Sequence, residues 1–265
     1  MSLFIKLSIR NFLKSAGLNS LNIFGLSLGL IAALLITVYA DHEYHYDQFH
    51  TNSSNIYRME GKTNSDIWFS NLGMEHSREL VAGSYPEVIN RVQLNTAQRG
   101  FYNFEDKKFA ESNVLQTNPG SHFFDFFSFD VLEGDKQSML TDPYSVILSE
   151  STAAKYFGSS SPIGKTFSYD TIHYKVTGVI QDIPSDTHLN FDVLYTNPRL
   201  YERDHFHTQN YLQLQNDVNV DELEEKILAM DVARDEFHAL SDIELMPVTD
   251  IHLYSNASFG TGGKG

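Results

Sequence analysis

The sequence contains no cysteine, and basic residues are scarce, with 19 lysines and arginines against 34 acidic residues and a formal net charge of −15. The missing cysteine excludes a disulfide framework, thiolate metal sites and thiol catalysis, and it leaves the redox compartment open. Because an acidic surface repels phosphate groups, the charge argues against nucleic acid as a partner. The apolar and aromatic fractions of 42% and 13% are high enough for a buried core, so a folded domain is expected.

Charge is also missing from one long stretch, residues 23–40. Its 18 residues would form a helix of about 27 Å, which crosses the hydrocarbon core of a bilayer. Ser27 and Thr37 cost little free energy in such a helix because their hydroxyls can form hydrogen bonds to its backbone. With residues 18–22 extending it into the interface, a transmembrane helix is predicted over residues 18–40.

The charge changes sign at this stretch. Lys6, Arg10 and Lys14 precede it without any acid, so removing their +3 from −15 leaves −18 for residues 41–265. Basic flanks stay in the cytoplasm, which predicts a cytoplasmic segment 1–17 and places everything after Ala40 outside. The main domain is therefore predicted to lie on the side of the membrane opposite the cytoplasm.

The three basic residues recur every four positions with apolar residues between them, which predicts an amphipathic helix that lies along the membrane surface. An ordinary flanking turn is the alternative. A secretory signal peptide is a second alternative, because Val38-Tyr39-Ala40 has the form of a cleavage site. The apolar stretch, however, exceeds the roughly 7–15 residues usual in such peptides.

Gly25, Gly29 and Ala33 fall on one face of the predicted helix, in the GxxxG spacing that lets a second helix approach closely. They are the candidate helix-packing residues. Because glycine is common in membrane helices, the spacing can also arise without a packing role.

Hydrophobic periodicity after residue 40 switches between strand and helix patterns, which predicts an α+β fold. Five phenylalanines in the run Phe123–Phe129 are interpreted mostly as core. The tail 260–265 is predicted to be a flexible end. The predicted helices are 72–82, 150–157 with Ser149 as its N-cap, and 221–230. The predicted strands are 56–62, 88–94, 99–104, 108–114, 145–148, 166–169, 172–180, 191–196, 211–215 and 243–253, of which 166–169 and 172–180 form a hairpin-like pair.

The segments that resemble catalytic or cofactor-binding motifs do not have the residue spacing that those motifs require. Gly158 to Thr166 has five residues between its glycines where a phosphate-binding loop has four, and it follows a helix, so it is interpreted as a turn. His42, His45 and His50 with Glu43 and Asp47, and the pair His205 and His207, could offer metal ligands. Neither set matches the His-Glu-x-x-His arrangement, so solvated or hydrogen-bonded histidines are the interpretation. Glu224-Glu225 is interpreted as a solvated helix face. No catalytic residue, cofactor or metal is assigned.

Several motifs, taken in order, carry a family resemblance. The sequence resembles the amino-terminal portion of FtsX-like ABC transporter permeases with a MacB-like periplasmic core domain, in the form common among Bacteroidetes. The resemblance covers nearly the whole chain. It rests on residues 22–29, 46–50, 55–58, 123–129, 132–135, 147–150, 154–158, 162–165, 176–179, 182–184 and 249–255.

This resemblance implies a location in a bacterial inner (cytoplasmic) membrane and a two-lobed periplasmic domain over residues 41–259. A porter-like β-α-β lobe would comprise residues 41–97 and 191–255, and an inserted mixed lobe would comprise residues 98–190. A separate or fused ATPase subunit would drive the membrane helices, and a second permease copy or half would be the dimer partner. Such a protein works by mechanical coupling, so no enzymatic activity is expected.

Family permeases continue into further membrane helices with a cytoplasmic segment that grips the ATPase, whereas this chain stops shortly before the next helix should begin. The leading hypothesis is the periplasmic and first-helix portion of a permease for export or mechanotransmission. A free-standing membrane-anchored binding or sensor module is the alternative. A metal-dependent hydrolase that uses His42, His45 and Asp47 is a remote third possibility.

Overall fold

The structure is a computed structural model that describes residues 5, 10, 14, 16–62, 67–70, 85–96, 100–104, 107–169, 171–200, 208–232 and 240–257. The chain divides into two compact units, residues 1–45 and residues 46–265. It has a mixed α+β fold with one apolar N-terminal helix and one sheet-rich domain. The predicted helix 72–82 lies outside the described residues.

The first unit contains the helix α1, Ala16–Tyr44, whose 29 residues have no buried side chain. Within the described part of the chain it is the one helix that is long and apolar enough to cross a membrane. The hydroxyl of Thr37 donates to the carbonyl oxygen of Ala33 at 2.9 Å, as expected for a hydroxyl in lipid.

The second unit is built on strands joined by short helices. The helices are α2 (Phe123–Phe126), α3 (Glu150–Phe157), α4 (Val220–Val232) and α5 (Ile251–Tyr254). The strands are β1 (Ile56–Lys62), β2 (Trp68–Phe69), β3 (Val88–Thr96), β4 (Gly100–Phe104), β5 (Lys107–Glu111), β6 (Val114–Thr117), β7 (Val131–Glu133), β8 (Ser145–Ser149), β9 (Thr166–Tyr169), β10 (Ile172–Ile180), β11 (Val193–Thr196), β12 (Thr208–Leu214) and β13 (Asp242–Pro247).

All these strands join one sheet in the order β13-β1-β12-β3-β6-β11-β8-β10-β9-β4-β5, with β2 beside β1 and β7 beside β10. Strand β1 pairs antiparallel with both β12 and β13. The parallel pairs are β6 with β11 and β8 with β10. Strand β11 falls by sequence in the predicted porter-like lobe, but its neighbours β6 and β8 fall in the range of the predicted inserted lobe. The lobe boundaries stay a prediction.

Three apolar clusters form the core. One lies beneath α4, where Leu223 and Ile227 pack with Met59, Leu212 and Leu245 of the sheet. A second lies beneath α3 and is rich in tyrosine. The third joins strands from both ends of the chain, and it includes the four buried phenylalanines Phe123, Phe126, Phe127 and Phe129. The interpretation of the phenylalanine run as core is therefore confirmed.

Most strand predictions are confirmed, with boundary shifts of a few residues. Two are wrong in part. Val114 begins β6 and does not end the preceding hairpin strand, which stops at Glu111. Residues 248–254 are not extended: β13 ends at Pro247, a 3-10 turn follows, and α5 begins at Ile251. Val248 and Ile251 are both fully buried, so their three-residue spacing reflects one helical face and not a strand.

The prediction for α3 is confirmed in detail. The Ser149 side chain accepts a hydrogen bond from the Thr152 backbone N–H, as an N-cap does. The helix ends before Gly158, whose φ of +62° favours glycine. The segment Gly158 to Thr166 is thus a helix-to-strand turn, as interpreted from the sequence.

Candidate functional site

The strongest candidate site is a buried polar cluster that begins just after α1. Tyr44 is the last residue of α1, and Asp47 follows it by three positions with 0% exposure. The backbone of Asp47 has a φ of +58°, and its N–H donates to the Asp186 carbonyl oxygen at 2.8 Å. Residues Tyr46–Asn52, which enter the sheet-rich unit here, are called the joint segment below.

The Asp47 carboxylate accepts hydrogen bonds from one short stretch of chain. The Thr187 hydroxyl donates to Oδ1, and the His188 backbone N–H lies 3.1 Å from Oδ2. The His188 ring nitrogen Nδ1 lies 2.7 Å from Oδ2. Burial by itself would raise the pKa of Asp47, but the attraction to His188 and the hydrogen bonds outweigh it and hold the pKa well below its usual range.

His188 is fully enclosed and bonded at both ring nitrogens. Its Nε2 lies 2.9 Å from the hydroxyl of Tyr211 on β12, and that hydroxyl lies 3.0 Å from Oε1 of Gln209. Burial lowers the pKa of His188, and the positive charge of Arg58 and the nearby His50 add to this effect, while Asp47 opposes it. Because a carboxylate only accepts hydrogen bonds, Nδ1 is the donor to Asp47.

His50 ties the joint segment to the loop after α2. Its Nδ1 accepts the Ser128 backbone N–H at 3.1 Å, and the next residue, Thr51, donates its own N–H to the Ser128 hydroxyl at 2.9 Å. The other ring nitrogen, Nε2, lies 3.5 Å from Oδ1 of Asp47, which is longer than a hydrogen bond. Rings of Phe127 and Phe129 meet the His50 ring edge-on.

A third attachment comes from the far end of the described chain. The ring of Tyr46 stacks on that of His252 in α5, with centroids 3.5 Å apart and an interplanar angle of 4°. The joint segment is thus held by Ser128, by residues 186–188 and by α5, which are distant from it and from one another in sequence.

A buried ion pair lies on the strand that follows. Arg58 and Glu60 are two residues apart on β1, so they share one face, and both side chains have 0% exposure. The Arg58 guanidinium also donates to the Ser255 hydroxyl at 2.8 Å, and that hydroxyl donates to Glu60 at 2.8 Å. Because buried charges are costly to leave unpaired, this triad fixes the chain after α5 to the sheet.

These contacts hold the joint segment against the sheet-rich unit, and none of the polar groups in them is exposed to solvent as a reacting group would be. Asp47, His50, His188, Arg58 and Glu60 are all buried. Hydrogen bonds to charged groups contribute about 1.5–3 kcal/mol each, so the joint segment is stabilised far more strongly than a typical surface loop. Within the described residues, no group of three or more His, Asp or Glu side chains is arranged to hold a metal ion.

The residues singled out from the sequence are placed as follows. Gly25, Gly29 and Ala33 are exposed, and a Cβ on either glycine would meet no atom within 4 Å. Their packing role stays a prediction. Arg10 and Lys14 are exposed, whereas Lys6 lies outside the described residues.

The proposed metal ligands separate into two kinds. His42 and His45 are exposed, whereas Asp47 and His50 are buried. His205 and His207 are outside the described part of the chain.

Glu224 is not simply the solvated residue that the sequence pattern indicates: its Oε1 accepts the Leu245 backbone N–H at 2.6 Å. Burial raises its pKa.

The sequence gives no role to His188. Arg58, Asp47 and His50 lie in motifs that carry the resemblance, but the sequence assigns Arg58 no role and interprets the histidines as solvated or hydrogen-bonded. Nothing in the spacing shows that residues 141 positions apart form a hydrogen bond, as Asp47 and His188 do.

Comparison with known proteins agrees with this fold. Residues 20–230 match the family model described as MacB-like periplasmic core domain. No curated protein matches the chain. Among solved structures, the chain resembles a domain of a protein described as a permease from Porphyromonas gingivalis, with a TM-score of 0.62, 18% identity, and coverage of 79% of this chain and 94% of that one.

Two further structures share the fold. The periplasmic region of MacB from Actinobacillus actinomycetemcomitans aligns with a TM-score of 0.54 at 17% identity, covering 75% of this chain and 91% of that one. The extracellular domain of the noncanonic ABC-type transporter YknZ from Gram-positive bacteria aligns with a TM-score of 0.52 at 14% identity, covering 72% of this chain and all of that one.

Proposed function

The chain belongs to the MacB-like periplasmic core domain family, and from this premise we propose that it is the periplasmic and first-transmembrane portion of an ABC-type permease. The permease acts in export or mechanotransmission across the cell envelope. A separate ATPase drives it through the parts of the permease beyond this chain. A second permease copy or half is the dimer partner.

The membrane assignment is supported by length and charge. Helix α1 has 29 residues and no buried side chain, which suits a helix surrounded by lipid. Because Lys6, Arg10 and Lys14 precede it, residues 1–17 are cytoplasmic and the sheet-rich unit is periplasmic, in a bacterial inner membrane.

The observation that carries the mechanical role is the joint segment. Only His45 and Tyr46 separate the end of α1 from a fully buried carboxylate. A long, flexible linker would absorb a movement of the helix. The joint segment, in contrast, has three attachments within residues 46–52. A displacement or rotation at the end of the helix therefore passes into the sheet.

The coupling is tested in a permease that carries this chain, reconstituted with its ATPase. Residues 1–265 contain no cysteine, so with any cysteine elsewhere in the permease replaced, His173→Cys gives one spin label per copy at an exposed site of β10. We expect ATP to change the distance between labels in the wild type. Asp47→Ala should abolish that change while ATP hydrolysis continues, and exposed Asp217→Ala should preserve both.

Two outcomes contradict the proposal: ATP leaves the label distance unchanged in the wild type, or Asp47→Ala, folded at the assay temperature, moves as the wild type does. The membrane assignment has its own check. The chain should resist alkaline wash and dissolve only in detergent, and a reporter fused after Tyr46 should be active in the periplasm.

A further inference from the structure

The sheet-rich unit carries two exposed aromatic rings. Of the described Phe, Tyr and Trp side chains from Tyr46 onwards, only those of Phe49 and Tyr254 are exposed, by 39% and 58%. The other large apolar side chains that are exposed in this unit are aliphatic. A single exposed apolar residue needs no explanation, but aromatic rings are enriched where proteins meet lipid headgroups. Phe49 and Tyr254 are called the aromatic pair below.

The aromatic pair lies where the chain enters this unit, although its members are far apart in sequence. Phe49 belongs to the joint segment. Tyr254 is two residues after His252, whose ring stacks on that of Tyr46 with centroids 3.5 Å apart. Because a chain spans at most about 3.6 Å per residue, the Cα of Phe49 lies within about 11 Å of Tyr46, and that of Tyr254 within about 7 Å of His252. Both rings are therefore close to this stack.

The chain leaves little distance between this stack and the bilayer. With α1 across the membrane, its uncharged stretch ends at Ala40, and its continuation to Tyr44 adds about 6 Å. Two more residues add at most about 7 Å, so the Cα of Tyr46 lies no more than about 13 Å beyond the hydrocarbon edge. The headgroup layer fills about 5–8 Å of this distance. The joint segment thus lies at the headgroups or directly above them.

The two segments that carry the aromatic pair have no lysine or arginine to draw them to an anionic surface. Residues 46–52 and 248–257 contain two acids, the buried Asp47 and the half-buried Asp250. The rings are therefore the part of this surface that favours lipid, since an aromatic side chain is stabilised between apolar chains and water. Uncharged, zwitterionic headgroups are the surface that such rings fit.

We propose that Phe49 and Tyr254 enter the headgroup layer on their side of the membrane and hold the sheet-rich unit against it. This contact rests on the transmembrane role of α1 proposed above. It gives the unit a second attachment to the bilayer, formed by rings from the joint segment and from α5. The partner of the aromatic pair is the lipid surface itself.

The test is the depth of nitroxide labels on the full chain in bilayers of zwitterionic phosphatidylcholine, measured by their accessibility to oxygen and to an aqueous nickel reagent. The chain has no cysteine, so Gln48→Cys and Asn256→Cys each place one label at an exposed position beside a ring and keep both rings. We expect both labels within about 8 Å of the hydrocarbon edge. Ile67→Cys is the control: it is exposed at the other end of β1, about 20 Å away, and its label should lie in water.

Ring variants separate the effect of the aromatic pair from that of the chain connection. Replacing both rings, Phe49→Ser with Tyr254→Ser, should move the two labels out of the headgroup layer. The Phe49 ring also packs inside the fold, so Tyr254→Ser by itself, for which the same direction is expected, leaves that packing intact. Tyr254→Phe keeps a ring and should leave both labels at their original depth.

A label at Ile31→Cys, in the middle of the uncharged stretch, checks the premise and should lie near the bilayer centre. A deep label there with water-exposed labels at Gln48→Cys and Asn256→Cys overturns the lipid contact and leaves the transmembrane assignment standing. A water-exposed label at Ile31→Cys overturns both. Labels that reach the headgroups only with anionic lipid or low salt, or that stay there after both rings are replaced, also overturn the contact.

Discussion

Replacing Asp47 by alanine tests whether the joint segment is held by its carboxylate. Asp217 offers a matched control, because it also has a left-handed backbone, with φ of +60° against +58° for Asp47, but is exposed. Alanine in this conformation costs about 1 kcal/mol at either position. The difference between the two variants therefore isolates what the buried side chain contributes.

The magnitude follows from the donors that lose their acceptor. The Thr187 hydroxyl, the His188 backbone N–H and the His188 ring all donate to this carboxylate. Hydrogen bonds to charged groups are worth about 1.5–3 kcal/mol each, and breaking a buried charged network costs about 3–5 kcal/mol in total. We expect Asp47→Ala to lower the free energy of unfolding by about 4 kcal/mol more than Asp217→Ala does.

The measurement is urea unfolding of the full chain in detergent, followed by the fluorescence of Trp68, the only tryptophan, on the strand that pairs with β1. For a unit of this size, the expected difference corresponds to a melting temperature about 8–16 °C lower. Asp47→Asn keeps an acceptor and tolerates the backbone, so it should lie between the wild type and Asp47→Ala. A gap below about 1.5 kcal/mol between the two alanine variants would refute the reasoning.

Three further predictions concern other parts of the chain. Arg58→Met leaves Glu60 buried without its cation and should cost about 3–5 kcal/mol in the same unfolding assay, whereas adding Glu60→Met should restore most of the loss. Gly134 has a φ of +104°, and a Cβ added there would lie 2.6 Å from a backbone carbonyl oxygen, so Gly134→Ala should lower the free energy of unfolding by about 3 kcal/mol or more. Gly120 also has a positive φ but no atom within 4 Å of the added Cβ, so Gly120→Ala should lower it by only about 1 kcal/mol. Gly29→Ile should weaken association between membrane helices, measured by energy transfer in lipid, and equal transfer would count against a packing face.

The parts of the fold that could be predicted from the sequence are those that depend on residues close together in the chain. Helix α3 with its Ser149 cap, the turn at Gly158 and the β9–β10 hairpin depend on neighbouring residues, and the pattern of the chain predicted each of them. The extended prediction over 243–253 failed where Val248 and Ile251 turned to face the core. Apolar spacing over so few residues fits both a strand and a helical turn, and only packing against the core distinguishes them.

The sequence by itself determined the membrane helix and its charged flank, the α+β alternation and the family resemblance, because each of these is a pattern along the chain. The tertiary structure alone decided that Asp47 meets His188 and that Arg58 meets Ser255. These residues act through contacts between segments about 140 and 200 positions apart. A polar side chain shows its role only when folding brings a partner to it and removes water from both.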